Sequence, residues 1–221
     1  VVTLAECVPD YCLRVERDDV EFISLHKPPG HGIKLYPKLY RLFRAARPAI
    51  VHTRNLAALE AAVPAWLAGV RGRVHGEHGW DRSDPDGRSP KYRLLRRAYS
   101  PFVQRYVALS GQLERYLVDG VGVEQDRVER ICNGVDSLRF QPAAARAMLT
   151  GCPFGGADEV VIGTVGRLQA VKDQLTLVRA FAIARGCAPA SKRLRLLIAG
   201  DGPLRAEVEA EIRASGCGEA I

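Results

Sequence analysis

Residues 160–182 read VVIGTVGRLQAVKDQLTLVRAFA. Val160–Val165 is a short apolar run of strand length. Gly163 and Gly166 then let the backbone approach something closely. A helix begins near Asp173, with Leu175, Val178, Phe181 and Ala182 on its inward face. Strand, glycine turn and helix make one βα unit. A second unit follows directly, with a strand at Leu194–Ala199, the turn Gly200-Asp201-Gly202-Pro203, and a helix carrying Leu204, Val208 and Ile212 at i, i+4 and i+8.

Working upstream, the same alternation fills the first 140 residues. Strands are expected at Val1–Ala5, Val20–Leu25, Ala49–His52, Gly72–His75, Arg105–Leu109 and Val128–Cys132. Between them, Leu35, Leu39, Leu42, Phe43 and Ala46 share one helical face. Leu56, Leu59, Val63, Trp66 and Leu67 share another, with Pro64 expected to bend that helix. A third helix over Lys91–Phe102 carries Tyr92, Leu95, Tyr99 and Phe102. Strands alternating with helices predict an α/β fold of largely parallel sheet covered on both faces. The stretch 141–159, rich in Ala, Pro and Gly, reads as a linker between a first domain over 1–140 and a second over 160–221. The chain stops two βα units into that second domain, too few to bury both faces of a doubly wound sheet, so the domain reads as incomplete.

Composition sets the outer bounds. The 221 residues are 47% hydrophobic and 26% charged, an ordinary globular balance that excludes low-complexity disorder. No apolar run reaches the roughly 20 residues of a membrane-spanning helix. The net charge is +7, and 26 of the 32 basic residues are Arg. Guanidinium suits planar, bidentate contact with phosphate or carboxylate, although a GC-rich genome produces the same bias. Nucleic acid ranks lowest among anionic partners, because no binding motif or aromatic platform accompanies the charge. The six cysteines, Cys7, Cys12, Cys132, Cys152, Cys187 and Cys217, show no C-x-x-C or metal-ligand spacing and read as reduced thiols of a cytoplasmic protein. Met148 is the only methionine, no initiator opens the chain, and the sequence reads as processed or as a fragment.

Three places carry chemistry. At the first turn, Arg167 and Lys172 lie five residues apart just before a helix N-terminus, where free N–H groups and the helix dipole favour an anion. The glycine spacing matches neither G-x-G-x-x-G nor G-x-x-x-x-G-K-[ST], which disfavours a nicotinamide-dependent oxidoreductase. The alternative is a tight turn whose cations face water. Residues 73–81, RVHGEHGWD, place His75, Glu77 and His78 at a strand's carboxyl end, the edge where open α/β sheets bind ligands. Gly76 and Gly79 open the backbone around His78, which becomes a candidate for contacting a substrate hydroxyl or for stabilising developing positive charge nearby. His52 is a weaker one. No third ligand accompanies His75 and His78, so no metal is expected. Asn133-Gly134 is a turn signal, followed by Val135-Asp136 and the linker. Finally, residues 88–105, RSPKYRLLRRAYSPFVQR, form a basic amphipathic stretch: either a core helix with a solvated basic face or a peripheral contact with an anionic membrane.

Together the strings VHTRN, HGEHG, YVALS, ICNGVDSLRF, GTVGRLQAVKD and LLIAGDGP resemble, in order and spacing over nearly the whole chain, the retaining glycosyltransferases of the glycogen synthase-like and sucrose synthase-like family. The first part is similar to sugar transferases of exopolysaccharide loci, most of all those accompanying exosortase (PEP-CTERM) systems. The resemblance implies the GT-B architecture, two Rossmann-like domains with parallel sheets, the C-terminal one cut short here. It implies a nucleotide-sugar donor, a glycan or lipid-linked acceptor, no cofactor or metal, and a cytoplasmic site of action at most peripheral to the inner membrane. By the same resemblance Arg167 and Lys172 grip the donor diphosphate, and His78 stands near the transferred sugar. Gly163, Gly166, Gly200, Gly202 and Asn133 border the donor, although Cys132 stands where many relatives have Pro. Two family features are missing: a Gly-rich loop after a first strand, and a later pair of glutamates seven residues apart. Their absence implies an internal fragment with little or no activity of its own. The rival readings are a sugar-nucleotide epimerase of the same architecture and a non-catalytic or decayed sugar-nucleotide-binding module.

Overall fold

A computed structural model describes residues 1–4, 7, 9–28, 30, 32–81, 84–142, 150–187 and 193–221. Ala5, which closes the first expected strand, Met148 and positions 143–149 of the expected linker lie outside the described residues. The chain divides into two compact units, Val1–Ser137 and Leu138–Ile221.

The first unit runs β1 (Val2–Thr3), α1 (Pro9–Cys12), β2 (Ile23–Ser24), α2 (Tyr36–Ala46), β3 (Ile50–Arg54), α3 (Asn55–Leu59), α4 (Ala62–Leu67), β4 (Gly72–Glu77), α5 (Pro90–Tyr99), β5 (Arg105–Ala108), α6 (Gly111–Arg115) and β6 (Val128–Arg130). The pairings between these strands are all parallel. β1 pairs with β2, and β3, β4, β5 and β6 form a second sheet in that order. This is the α/β arrangement that alternating strand and helix patterns predict.

Local chemistry explains the boundaries. Pro37 sits in the first turn of α2, where a missing N–H costs nothing, and Arg47 closes that helix in the left-handed conformation, donating its N–H to Phe43 O at 2.9 Å. Ser110 caps α6 by accepting from the Leu113 N–H at 3.2 Å. The helix expected over Leu56–Leu67 breaks one turn earlier than Pro64 suggests. α3 ends at Leu59, a turn at Glu60 and Ala61 intervenes, and α4 starts again with Pro64 inside it. The break resets the buried face. Leu56 and Leu59 stay in the core, but Ala62, Pro64 and Ala65 replace Trp66 and Leu67, which are half exposed.

Two cores hold this unit. Leu56, Leu59, Val103, Tyr106, Leu117 and their neighbours pack under β5 and α6, while Leu25, Leu35, Leu39, Phe43 and Val70 pack around α2. The basic stretch 88–105 belongs to the first of them. Tyr92, Leu95, Tyr99 and Phe102 lie against that core, leaving Leu94 as the large apolar residue turned outward. Its arginines are also engaged: Arg93 Nε donates to Gly87 O at 3.0 Å, Arg97 Nε to Val121 O at 2.8 Å, and Arg96 is buried against Glu77. Most of the apolar face of this stretch therefore packs within the first unit.

The second unit contains β7 (Glu159–Val165), α7 (Gln174–Cys187), β8 (Arg193–Ala199) and α8 (Arg205–Ala214). β7 and β8 pair in parallel over seven residues, from Glu159 with Arg193 to Val165 with Ala199. Val178, Phe181, Leu196, Val208 and Ala220 form its core. All six cysteines are free thiols, as their spacing suggests.

Candidate functional site

In the first unit the candidate residues collect at the carboxyl ends of β3 and β4. The alternation of a strand puts His75 and Glu77 on one face of β4 and Gly76 on the other. His75 is 0% exposed and Glu77 1%, and they meet at 3.4 Å through His75 Nε2 and Glu77 Oε1. A carboxylate only accepts, so Nε2 carries the proton. His75 Nδ1 lies 2.8 Å from the Thr53 hydroxyl oxygen, and that hydroxyl donates to Val74 O at 3.4 Å. Arg96, reaching in from α5, donates to Glu77 Oε1 at 2.6 Å and to Oε2 at 3.3 Å. Burial pushes the Glu77 carboxyl up, but the bonds from His75 and Arg96 and the guanidinium charge outweigh it and hold the group below the usual carboxylate range. His75 is thus committed to the interior. Among the described residues no group of three His, Cys, Asp or Glu converges on a metal site.

His78 belongs to the opposite face. A Cβ placed on Gly76 would stand 2.6 Å from His78 Nε2 and 3.0 Å from His52 Nε2, so the two imidazoles converge over a position that only glycine leaves open. Their ring centroids are 6.4 Å apart. Both ring nitrogens of His78 are buried and have no partner among the described residues. Burial first, then the charge of Arg54 and the neighbouring imidazoles, pulls the His78 pKa below the ordinary histidine value. His52 is lowered in the same way by burial, His75 and Arg54. The loop is anchored by Asn55, whose side-chain oxygen accepts from the His78 N–H at 2.9 Å. Asn55 holds a left-handed backbone at φ 58°, a conformation Asn tolerates better than most residues. That tolerance is the signal VHTRN carries for Asn55, whereas Arg96 carries none in a stretch where arginine recurs.

In the second unit Arg167 lies in a loop fixed on both sides. Gly166 N–H donates to Ala199 O at 3.0 Å, Leu168 N–H to Asp201 O at 2.9 Å, and Leu204 N–H to Leu168 O at 3.2 Å. Backbone meets backbone here: a Cβ on Gly200 would stand 1.9 Å from Gly166 O, and one on Gly202 2.4 Å from Leu168 O. These two glycines are therefore required by packing within the unit. Gly163 and Gly166 differ, because a Cβ on either would meet nothing within 4 Å. Lys172 closes a short 3-10 turn, Ala170–Lys172, and both it and Arg167 are exposed. Asp173 turns left-handed at φ 49° and accepts from the Thr176 N–H at 3.4 Å, so α7 begins at Gln174. Asn133 lies in an exposed irregular stretch after β6, in the first unit.

Comparison with known proteins decides the family. Residues 1–139 match Glycosyltransferase Family 4. The chain belongs to that family. It is 31% identical over 155 residues to EpsF of Bacillus subtilis (strain 168), whose name assigns it only as a glycosyltransferase, covering 69% of this chain and 40% of EpsF. It is 38% identical over 102 residues to the D-inositol 3-phosphate glycosyltransferase of Nocardia farcinica (strain IFM 10152), covering 45% of this chain and 21% of that one. The chain thus spans less than half the length of these curated relatives. Among solved structures, Anabaena Alr3699/HepE in complex with UDP and glucose superposes with a TM-score of 0.72 at 19% identity, covering 99% of this chain and 59% of HepE. A glycosyltransferase from Rickettsia africae ESF-5 follows at 0.68 and 15%, covering 95% of this chain and 56% of its own. These likenesses show the fold, a Rossmann-like α/β architecture of the GT-B type. A UDP-N-acetylglucosamine 2-epimerase-like protein from Listeria monocytogenes shares it at 0.53 and 14%, covering 89% of this chain and 53% of its own.

Proposed function

We propose that this chain supplies part of a glycosyltransferase that moves a sugar from a nucleotide-sugar donor to a glycan or lipid-linked acceptor with retention of configuration, in exopolysaccharide or related synthesis. The observation that carries the reading is the tethered loop at the carboxyl end of β7. It turns Arg167 outward between two backbone-anchored neighbours, with Lys172 one turn ahead of α7. Gly163 and Gly166 leave open backbone beside it. The UDP and UDP-glucose held in the HepE crystals support a nucleoside diphosphate sugar as donor. Membership in a transferase family weighs against the epimerase reading.

The chemistry follows from charge. Breaking the sugar–phosphate bond builds positive charge on the ring and negative charge on the departing diphosphate. Fixed cations stabilise that leaving group without reorganising during reaction. In this reading Arg167 and Lys172 do so in place of a divalent metal. His78, kept neutral near pH 7 by burial and Arg54, offers an uncharged ring with both nitrogens free to a sugar hydroxyl.

In the full-length enzyme, Arg167→Ala should lower kcat/KM by about 10²–10³-fold, the loss seen when one fixed donor to developing negative charge is removed. The same assay with a chelator should keep its rate. An Arg167→Ala enzyme with unchanged kcat/KM would sink the assignment.

A further inference from the structure

We infer that Gln169 and Gln174 are positioning residues that preset Arg167 for its anion, an inference that rests on the diphosphate reading above. Neither glutamine need touch substrate, since each acts on a different part of Arg167. With its side-chain oxygen turned to the guanidinium, the orientation that satisfies both groups, Gln169 accepts from Arg167 Nε at 3.2 Å and from Nη2 at 2.5 Å. Gln174, only 3% exposed and the first residue of α7, donates Nε2 to the Arg167 main-chain oxygen at 3.1 Å.

The rest of the loop shows why this matters. Residues 166 and 168 are tied to the β8 end by main-chain bonds, and the glycines at 200 and 202 let the two backbones touch. Only the middle residue points out, and an exposed arginine on a tethered loop still samples many rotamers. Fixing such a side chain costs rotamer entropy at the moment of binding unless it has been ordered beforehand. Gln169 removes part of that cost by holding the Nε–Nη2 edge, which leaves Nη1 and the second Nη2 proton for a phosphate oxygen. Gln174 removes the remaining backbone freedom by occupying the one main-chain acceptor in the loop's centre. A glutamine serves where a glutamate would not: a carboxylate would neutralise the guanidinium and repel the incoming phosphate.

Two measurements on the full-length enzyme separate this inference from the reading it rests on. The first is the Arg167 Nε–H resonance by ¹H–¹⁵N NMR, without ligand. It should exchange slowly in the parent and rapidly in Gln169→Ala; equal exchange in both overturns the clamp. The second is a double-mutant cycle on UDP and pyrophosphate affinity. Arg167→Ala should weaken binding about 10–100-fold, and Gln169→Ala or Gln174→Leu about 3–10-fold. Added to Arg167→Ala, neither glutamine change should weaken binding further, because both act through that side chain. Gln174→Leu removes the bond to the Arg167 main-chain oxygen and also a buried side-chain oxygen that has no partner among the described residues, so Tm is followed beside affinity in both backgrounds to separate stability from binding. Additive losses in affinity would make the glutamines independent contacts and overturn the inference. A full-length parent enzyme that binds neither UDP nor pyrophosphate would overturn the diphosphate reading itself.

Discussion

His78 shows how much a single residue's environment decides. Its ring nitrogens are buried and have no partner among the described residues, and Arg54, His52 and His75 act on it, so protonation there adds a charge beside a guanidinium and two imidazoles with little water to disperse it. Among the described residues Glu77 is the carboxylate that favours the charged ring, and Arg96 already claims it. The His78 ring should therefore titrate below 6.5 when followed by ¹H–¹³C NMR across pH 4–8. Arg54→Gln should move that midpoint up, because it deletes the largest repulsive charge. A midpoint above the ordinary value, or one unmoved by the change at Arg54, would show that a different group governs the ring. The consequence for chemistry is direct: a neutral imidazole at pH 7 both donates and accepts, and an imidazolium only donates.

At the scale of the element, the loop between β7 and α7 and its partner after β8 form one backbone-to-backbone joint. Gly200→Ala should drive a methyl into Gly166 O, where 1.9 Å is available, and lower stability by about 1–3 kcal/mol or unfold the second unit outright. Gly163→Ala meets open space and should leave Tm within the error of a surface change, about ±0.5 kcal/mol. Thermal melts of the two variants side by side check this, and equal destabilisation would refute the distinction. The same joint marks where reading the sequence stops. The alternation of strand and helix patterns was legible nearly everywhere, because apolar period is written in consecutive residues; β4, β5, β7 and β8 begin and end within two residues of expectation. All four of Gly163, Gly166, Gly200 and Gly202 also stood out as glycines. What separates them is which backbone lies opposite, and that depends on a contact between residues more than thirty apart. The amides of Asn55, Gln169 and Gln174 were invisible for a related reason: a carboxamide serves any donor or acceptor, and its partner exists only once the chain has folded. Trp66 and Leu67 were misplaced because a turn at Glu60–Ala61, unmarked by Gly or Pro, rotated the buried face.

At the scale of the whole molecule, titrating groups in both units push in one direction. Asp19, Glu77 and Glu211 sit below their ordinary values, held there by Arg17, by His75 with Arg96, and by Arg179 respectively. Glu159 falls to about 2 through the N–H groups of Gly155 and Gly156 and the Arg195 guanidinium. His52 and His78 are lowered as well, chiefly by burial. Each lowered carboxylate contributes stability that is present above its unfolded value, about 4 for Asp and about 4.5 for Glu, and lost as pH falls through the folded one. Each lowered histidine costs stability once the unfolded chain begins to bind its proton, below about 6.5. Folded chains thus hold fewer protons than unfolded ones throughout the acid range, and Tm should rise from pH 3 to pH 7. Burial raises Tyr106 to about 12 and lifts Tyr36 and Tyr116 too. Their contribution is intact below the unfolded value of about 10 and drains away above it, so Tm should fall again past pH 10. Between those limbs lies a plateau close to the pI of 9.3, set by buried rings and paired carboxylates and not by net charge. Glu159→Gln removes the deepest acid-side contributor, so its loss of Tm relative to the parent should be largest near pH 7 and shrink as pH falls from 4.5 toward 2. A deficit that stayed constant over that range would mean the Glu159–Arg195 contact stabilises by shape alone. A Tm maximum near pH 5 would mean the histidines hold protons in the folded chain, against the geometry around Gly76.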